Sequence, residues 1–96
     1  MPDRTITPLQ KAAGQWLKER RLGAGLTQHE LARRLGFKYY THLSAIEATG
    51  KGRIAPRHYV DAARALKMDP KDFTWEQLRF YEPEIYQILQ PERSRK

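Results

Sequence analysis

The chain has 96 residues, with 18 Lys and Arg against 11 Asp and Glu, a net charge of +7. Apolar residues make up 40% and charged residues 30%, which suffices for one modest core and is too apolar for a disordered chain. This excludes two domains of ordinary size, an apolar run of about 20 residues that would span a bilayer and, with no cysteine, a disulfide framework or thiolate chemistry.

Leu9, Ala12, Ala13, Trp16 and Leu17 recur at helical spacing, with Thr7 as cap and Pro8 at the first helical position. They predict a first helix over Pro8–Leu22, ended by Gly23-Ala24-Gly25. Thr27-Gln28-His29-Glu30 is a capping box. Leu31, Ala32 and Leu35 follow as a short apolar stripe, and Gly36 stops it, so a two-turn helix spans Gln28–Leu35. Phe37 is expected to pack inward. A third helix is expected over Tyr39–Ala48, with Leu43 and Ile46 facing the core. Its outward positions hold Tyr40, Thr41, Ser44, Ala45 and Ala48, a nearly uncharged face unlike a solvated one. Gly50-Lys51-Gly52-Arg53 reads as a flexible basic loop. Pro56 opens a fourth helix with Tyr59, Val60, Ala63 and Leu66 on one face. Asp69-Pro70-Lys71-Asp72 starts a fifth, and Glu82-Pro83-Glu84 a last short one ending near Gln90. No segment alternates with period two, so the fold class expected is all-α without a sheet. Residues 1–6 and Pro91–Lys96 read as disordered. The opening MPDRTITPLQ lacks the apolar stretch of a signal peptide, so a cytoplasmic location is expected.

The charge is uneven. Residues 1–72 hold 14 basic and 7 acidic side chains. Residues 73–90 hold Arg79 against Glu76, Glu82 and Glu84, and residues 91–96 return to net positive. A basic excess confined to one region points to a polyanion, with nucleic acid ahead of a membrane surface. Thr27 to Gly50 has the layout of a helix-turn-helix: a capped short helix, a glycine turn and a second helix. In that device the first helix straddles the phosphate backbone and the second enters the major groove. Gln28, at the first helical position, can offer N–H groups to a phosphate. Lys38, Lys51 and Arg53 are expected phosphate partners, with Arg57 a weaker one. One of Tyr39 and Tyr40 is expected to anchor the helix in the core; Tyr40 is favoured as the exposed one, bonding a phosphate or touching a thymine methyl. Thr41 and Ser44 can serve base edges or phosphates, or else bond locally to the helix backbone.

The run GLTQHELARRLG, then LSAIE, then Ala65–Pro70 with the pattern Ala-Leu-x-x-Asp-Pro, resembles the Cro and phage-repressor (XRE-type) helix-turn-helix family over about residues 9–73. Leu26, Thr27, Gln28, Leu31, Ala32, Leu35 and Gly36 stand where that family places them. The resemblance implies a five-helix, lambda-repressor-like domain of bacterial or phage origin. It implies dimeric binding to a palindromic operator, Gln28 on phosphate, and Tyr40, Thr41, Ser44 and Ala45 facing base edges. It further implies a structural pair between Arg21 and Glu47. The chain departs from the family by one extra residue in FKYYTHLSAI and one in ATGKGR, the latter lengthening the basic loop.

His29, His42 and His58 match no metal-ligand spacing and no Cys supports them, so no metal or cofactor is expected. No nucleophile–base pair, Gly-rich phosphate loop or carboxylate dyad is visible, so no enzymatic activity is expected. The chain divides into a DNA-binding domain, residues 1–72, and an aromatic helical extension with a basic tail, residues 73–96. Phe73, Trp75, Leu78, Phe80, Tyr81, Ile85, Tyr86, Ile88 and Leu89 crowd the extension. A single helix hides one stripe, so an interface is expected there. It would serve a homodimer, or a different protein such as RNA polymerase or a regulatory partner; packing against the first and fifth helices is the competing reading. The function expected is a sequence-specific, double-stranded-DNA-binding regulator of transcription. The alternatives are an adaptor or antitoxin-like module using the aromatic segment, and an architectural DNA binder.

Overall fold

A computed structural model of the chain describes residues 7–90. The disorder expected for residues 1–6 and 91–96 lies outside the described residues. Thr7 starts α1 (Pro8–Gly23). Its hydroxyl accepts from the Gln10 N–H at 3.1 Å, while Gln10 Oε1 accepts from the Thr7 N–H at 3.2 Å. This reciprocal pair satisfies two N–H groups that a helix start leaves without partners. Then come α2 (Gln28–Leu35), α3 (Tyr40–Thr49), a 3₁₀ turn (Pro56–His58), α4 (Tyr59–Ala65), α5 (Pro70–Tyr81) and α6 (Pro83–Ile88). Asp69 caps α5 by accepting from the Lys71 N–H at 2.7 Å. Among the described residues there is no strand, and the all-α architecture of five helices and a short sixth is the expected one. No helix among them is long and apolar enough to cross a membrane.

One core joins the helices. Leu17 of α1, Leu31 and Leu35 of α2, Leu43 and Ile46 of α3, Tyr59, Ala62 and Ala63 of α4, and Phe73 of α5 meet there. Ile54, from the loop before the 3₁₀ turn, is fully buried among them. Trp16 lies at the edge of this core, its ring centroid 5.8 Å from Phe73 and 5.9 Å from Phe80, both tilted. Such offset contacts add to the burial of the rings themselves.

Four expectations are corrected. In α1, Leu9 and Ala12 are exposed, and the buried stripe is Ala13, Gly14, Leu17 and Arg21. The helix is turned because Gly14 meets the carbonyl groups of Ile46 and Glu47, a place with no room for a side chain. In α4, Val60 is exposed and Tyr59, Ala62, Ala63 and Leu66 face the core. The preceding 3₁₀ turn winds more tightly and resets the helical phase. Tyr39 and Tyr40 are both exposed, at 64% and 40%. The anchor expected from one of them is supplied instead by half-buried Phe37 and by Ile54. Finally, Phe73 and Phe80 are core residues, not interface residues. The boundary drawn after residue 72 falls in the first turn of α5.

Candidate nucleic-acid interface

The cap of α2 forms as the sequence spacing requires. Glu30 N–H donates to the Thr27 hydroxyl at 3.0 Å and Thr27 N–H donates to Glu30 Oε1 at 2.8 Å. The bond from the Thr27 N–H holds the Glu30 carboxyl below the usual carboxylate range, with Arg33 and Arg34 adding to it. Gly36 ends α2 at φ 78°, in the left-handed region that glycine enters without steric cost. The chain then turns through Phe37 and Lys38 into α3, with Tyr39 as its extended cap residue.

Leu43 and Ile46 seat α3 on the core, which leaves the opposite side outward. There Tyr40, Thr41, Ala45 and Ala48 are exposed and Ser44 is half-buried. Thr49, by contrast, turns its hydroxyl back to the Ala45 carbonyl at 3.0 Å. The Tyr40 ring lies 4.0 Å, centroid to centroid, from the ring of His29, which ties the start of α3 to the first turn of α2. The face is therefore shallow, with one aromatic at its near end and small or hydroxyl-bearing side chains along it. Such a surface can approach a base edge closely; methyls suit thymine and hydroxyls suit either donors or acceptors.

The angle of α3 is set from behind. Arg21 donates to both carboxylate oxygens of Glu47, from Nε at 2.7 Å and Nη2 at 3.0 Å. Its third donor, Nη1, reaches the Leu26 carbonyl at 2.8 Å. The pair is buried, with side-chain exposures of 8% and 3%. Gln28 donates its side-chain amide to the same carboxylate at 2.9 Å. The expected structural pair of Arg21 and Glu47 is thus a triad that binds α1, α2 and α3 together. The inward bond of Gln28 was not anticipated, since a residue at the first helical position reads from sequence as a solvent-facing donor. Its backbone N–H still opens the helix.

Lys38, Tyr39, Thr41 and Arg53 are brought to one open cleft of about 540 Å³, together with Phe37, His42, Arg57 and His58. His42 stacks on Phe37 at 4.6 Å with ring planes 13° apart, and His58 meets the same ring edge-on at 5.3 Å. His42 Nε2 also lies 3.3 Å from the Gly52 carbonyl. Sequence spacing excluded these two histidines as a metal set and did not foresee their packing on Phe37. Lys51 is exposed on the same loop. Arg53 is engaged by three neighbouring side chains. Nη1 donates to Glu82 at 3.1 Å, Nη2 to the Tyr59 hydroxyl at 3.3 Å, and the guanidinium carbon lies 4.7 Å from the Tyr81 ring centre. Partial burial alone would lower the Arg53 pKa, but the bonds to Tyr59 and Glu82 outweigh it and raise it. Burial pushes the Tyr81 hydroxyl up, partly offset by Arg53. Among the described residues no group of three or more His, Cys, Asp or Glu could hold a metal ion.

The aromatic extension divides. Tyr81 donates to the Gly50 carbonyl at 2.7 Å, and Trp75 meets Tyr86 edge-on at 5.8 Å. Leu78 is half-buried, while Ile85, Ile88 and Leu89 stand exposed on and just after α6. No family model matches the chain, and neither a curated protein nor a solved structure matches it.

Proposed function

We propose that this protein binds duplex DNA in a sequence-specific way through a helix-turn-helix made of α2 and α3, and regulates transcription. The observation that carries the reading is the outward face of α3: exposed Tyr40, Thr41 and Ala45 with Ser44, uncharged, and flanked by Lys38, Lys51 and Arg57. A solvated helix face of ten residues ordinarily carries charge; this one has its charges at the rim. The cations would displace condensed counterions from phosphates, giving an affinity that falls steeply with salt. The short side chains of α3 would then select sequence, each good base contact contributing about 1–3 kcal/mol. The resemblance of Leu26–Gly36 to the Cro and phage-repressor family supports the same reading, and with it a bacterial or phage origin, a cytoplasmic site of action and no catalytic role. Exposed Ile85, Ile88 and Leu89 favour a protein partner as well. A second copy is the first candidate. A two-fold dimer would place its recognition helices about 34 Å apart, one turn of DNA. RNA polymerase or another regulatory protein, as for an adaptor or antitoxin-like module, is the other.

The test is the triple substitution Tyr40→Ala/Thr41→Ala/Ser44→Ala. All three side chains point away from the core, so the fold is expected to persist. Selection from a random duplex library should enrich a defined site for the wild type. The variant is expected to retain weak, salt-sensitive binding while its preference for that site falls by tenfold or more, by the contact values above. Equal preference in both proteins would remove α3 from the reading, and a wild type that enriches no site would leave an architectural binder.

A further inference from the structure

We propose that Glu82, at the junction of α5 and α6, competes with DNA phosphate for Arg53, so that the C-terminal segment limits the affinity of the interface. The inference rests on the DNA-binding reading above. Arg53 lines the cationic cleft together with Lys38 and Arg57. Its guanidinium is nonetheless turned to the protein, held by Glu82 and Tyr59 and covered by Tyr81. Tyr81 also fastens the other end of the same loop through the Gly50 carbonyl. A loop that reads as free from its sequence is therefore strapped at both ends, once by Tyr81 and once by Glu82.

Two further features make Glu82 a competitor. It is the N-cap residue of α6, but its side chain makes no capping bond; the carboxylate reaches across to the loop instead. The pair is also open to water, with side-chain exposures of 31% and 43%. An ion pair so exposed is weak and exchanges readily. Glu82 accepts from one guanidinium nitrogen, whereas a phosphate can accept from two in parallel, and the pair must open for Arg53 to meet it in full. Of the other ion pairs among the described residues, Arg21–Glu47 is buried and Arg79–Glu76 lies within α5. Arg53–Glu82 joins the DNA-facing loop to the C-terminal segment.

The experiment measures binding of a fluorescent duplex over a salt series for the full chain and four variants: Glu82→Gln, Arg53→Ala, the double variant, and Glu84→Gln. Glutamine keeps an acceptor for Arg53 and removes the charge. Glu84→Gln removes the same charge from an exposed position two residues on. Glu82→Gln is expected to bind about three- to tenfold tighter at low salt, and the salt slope to steepen by roughly one, the value of one more phosphate contact. Glu84→Gln is expected to leave the slope unchanged, and the double variant to behave as Arg53→Ala. The inference is overturned if Glu82→Gln binds no tighter than Glu84→Gln, if it binds more weakly than wild type, or if its gain survives in the Arg53→Ala background. A wild type that binds duplex while Glu82→Gln fails in one of these ways defeats this inference alone. A wild type that binds no duplex at any salt defeats it together with the reading it rests on.

Discussion

Glu47→Ala is expected to cost about 3–5 kcal/mol of folding stability, the usual penalty for breaking a buried ion pair from one side. Arg21 would remain in the interior, its guanidinium keeping only the Leu26 carbonyl, and Gln28 would lose its acceptor as well. Against a total stability of about 5–15 kcal/mol, such a loss takes a large share. The cost measures the orphaned charge rather than the worth of the bond. Replacing both partners, as in Arg21→Met/Glu47→Leu, is therefore expected to recover most of it. Urea unfolding of the wild type, the single variant and the double variant checks both statements. A double variant as unstable as Glu47→Ala would mean that the triad contributes a net attraction beyond satisfying a buried charge. If the double variant recovers, what the pair adds is geometry: it holds the end of α3 against α1, with Gln28 bringing α2 to the same carboxylate.

The second large effect is expected at Gly50. This residue ends α3 at φ 78° and is packed on the backbone of Gln10, so a Cβ there would fall on the Gln10 carbonyl. Gly50→Ala meets a left-handed conformation and a backbone clash at once. Together these are expected to cost about 2–5 kcal/mol, read as a lowered midpoint in thermal or denaturant unfolding. Gly25→Ala is the matched control. Its φ is 76° but nothing lies near the added methyl, so only the conformational part, about 1–2 kcal/mol, applies. Equal losses at the two positions would contradict the close packing of α1 on the end of α3.

Local chemistry explains which parts of the structure were legible in the sequence. The bounds of α2 follow from Thr27, Glu30 and Gly36, three residues whose effect is confined to one turn. The starts of α1 and α5 follow in the same way from Thr7-Pro8 and Asp69-Pro70. The rotation of α1 did not, because it is decided by a contact with α3, which is distant in sequence. Gly14 was the available sign: a glycine inside a helical pattern often marks a close backbone approach. Tyr39 and Tyr40 were split between core and surface on the premise that α3 needs an aromatic anchor at its start. Phe37 and Ile54 meet that need from outside the helix. Phe73 and Phe80 were read as surplus because Trp16, the ring they pack on, lies more than 55 residues earlier. The candidate interface shows the same division. The outward placing of Thr41, Ser44 and Ala45 follows from helical spacing against Leu43 and Ile46. The inward turn of Gln28 and the capture of Arg53 depend on Glu47 and Glu82, and no spacing rule reaches that far.

The most direct measurement of the central claim is an amide chemical-shift map of the full chain on addition of a duplex enriched from a random library. The largest shifts are expected at Gln28 and at Lys38 through Ala45, with smaller ones at Lys51 and Arg57, and little change at Ile85 through Leu89. Shifts confined to the exposed end of the C-terminal segment, or none at all with duplex in excess at low salt, would contradict it.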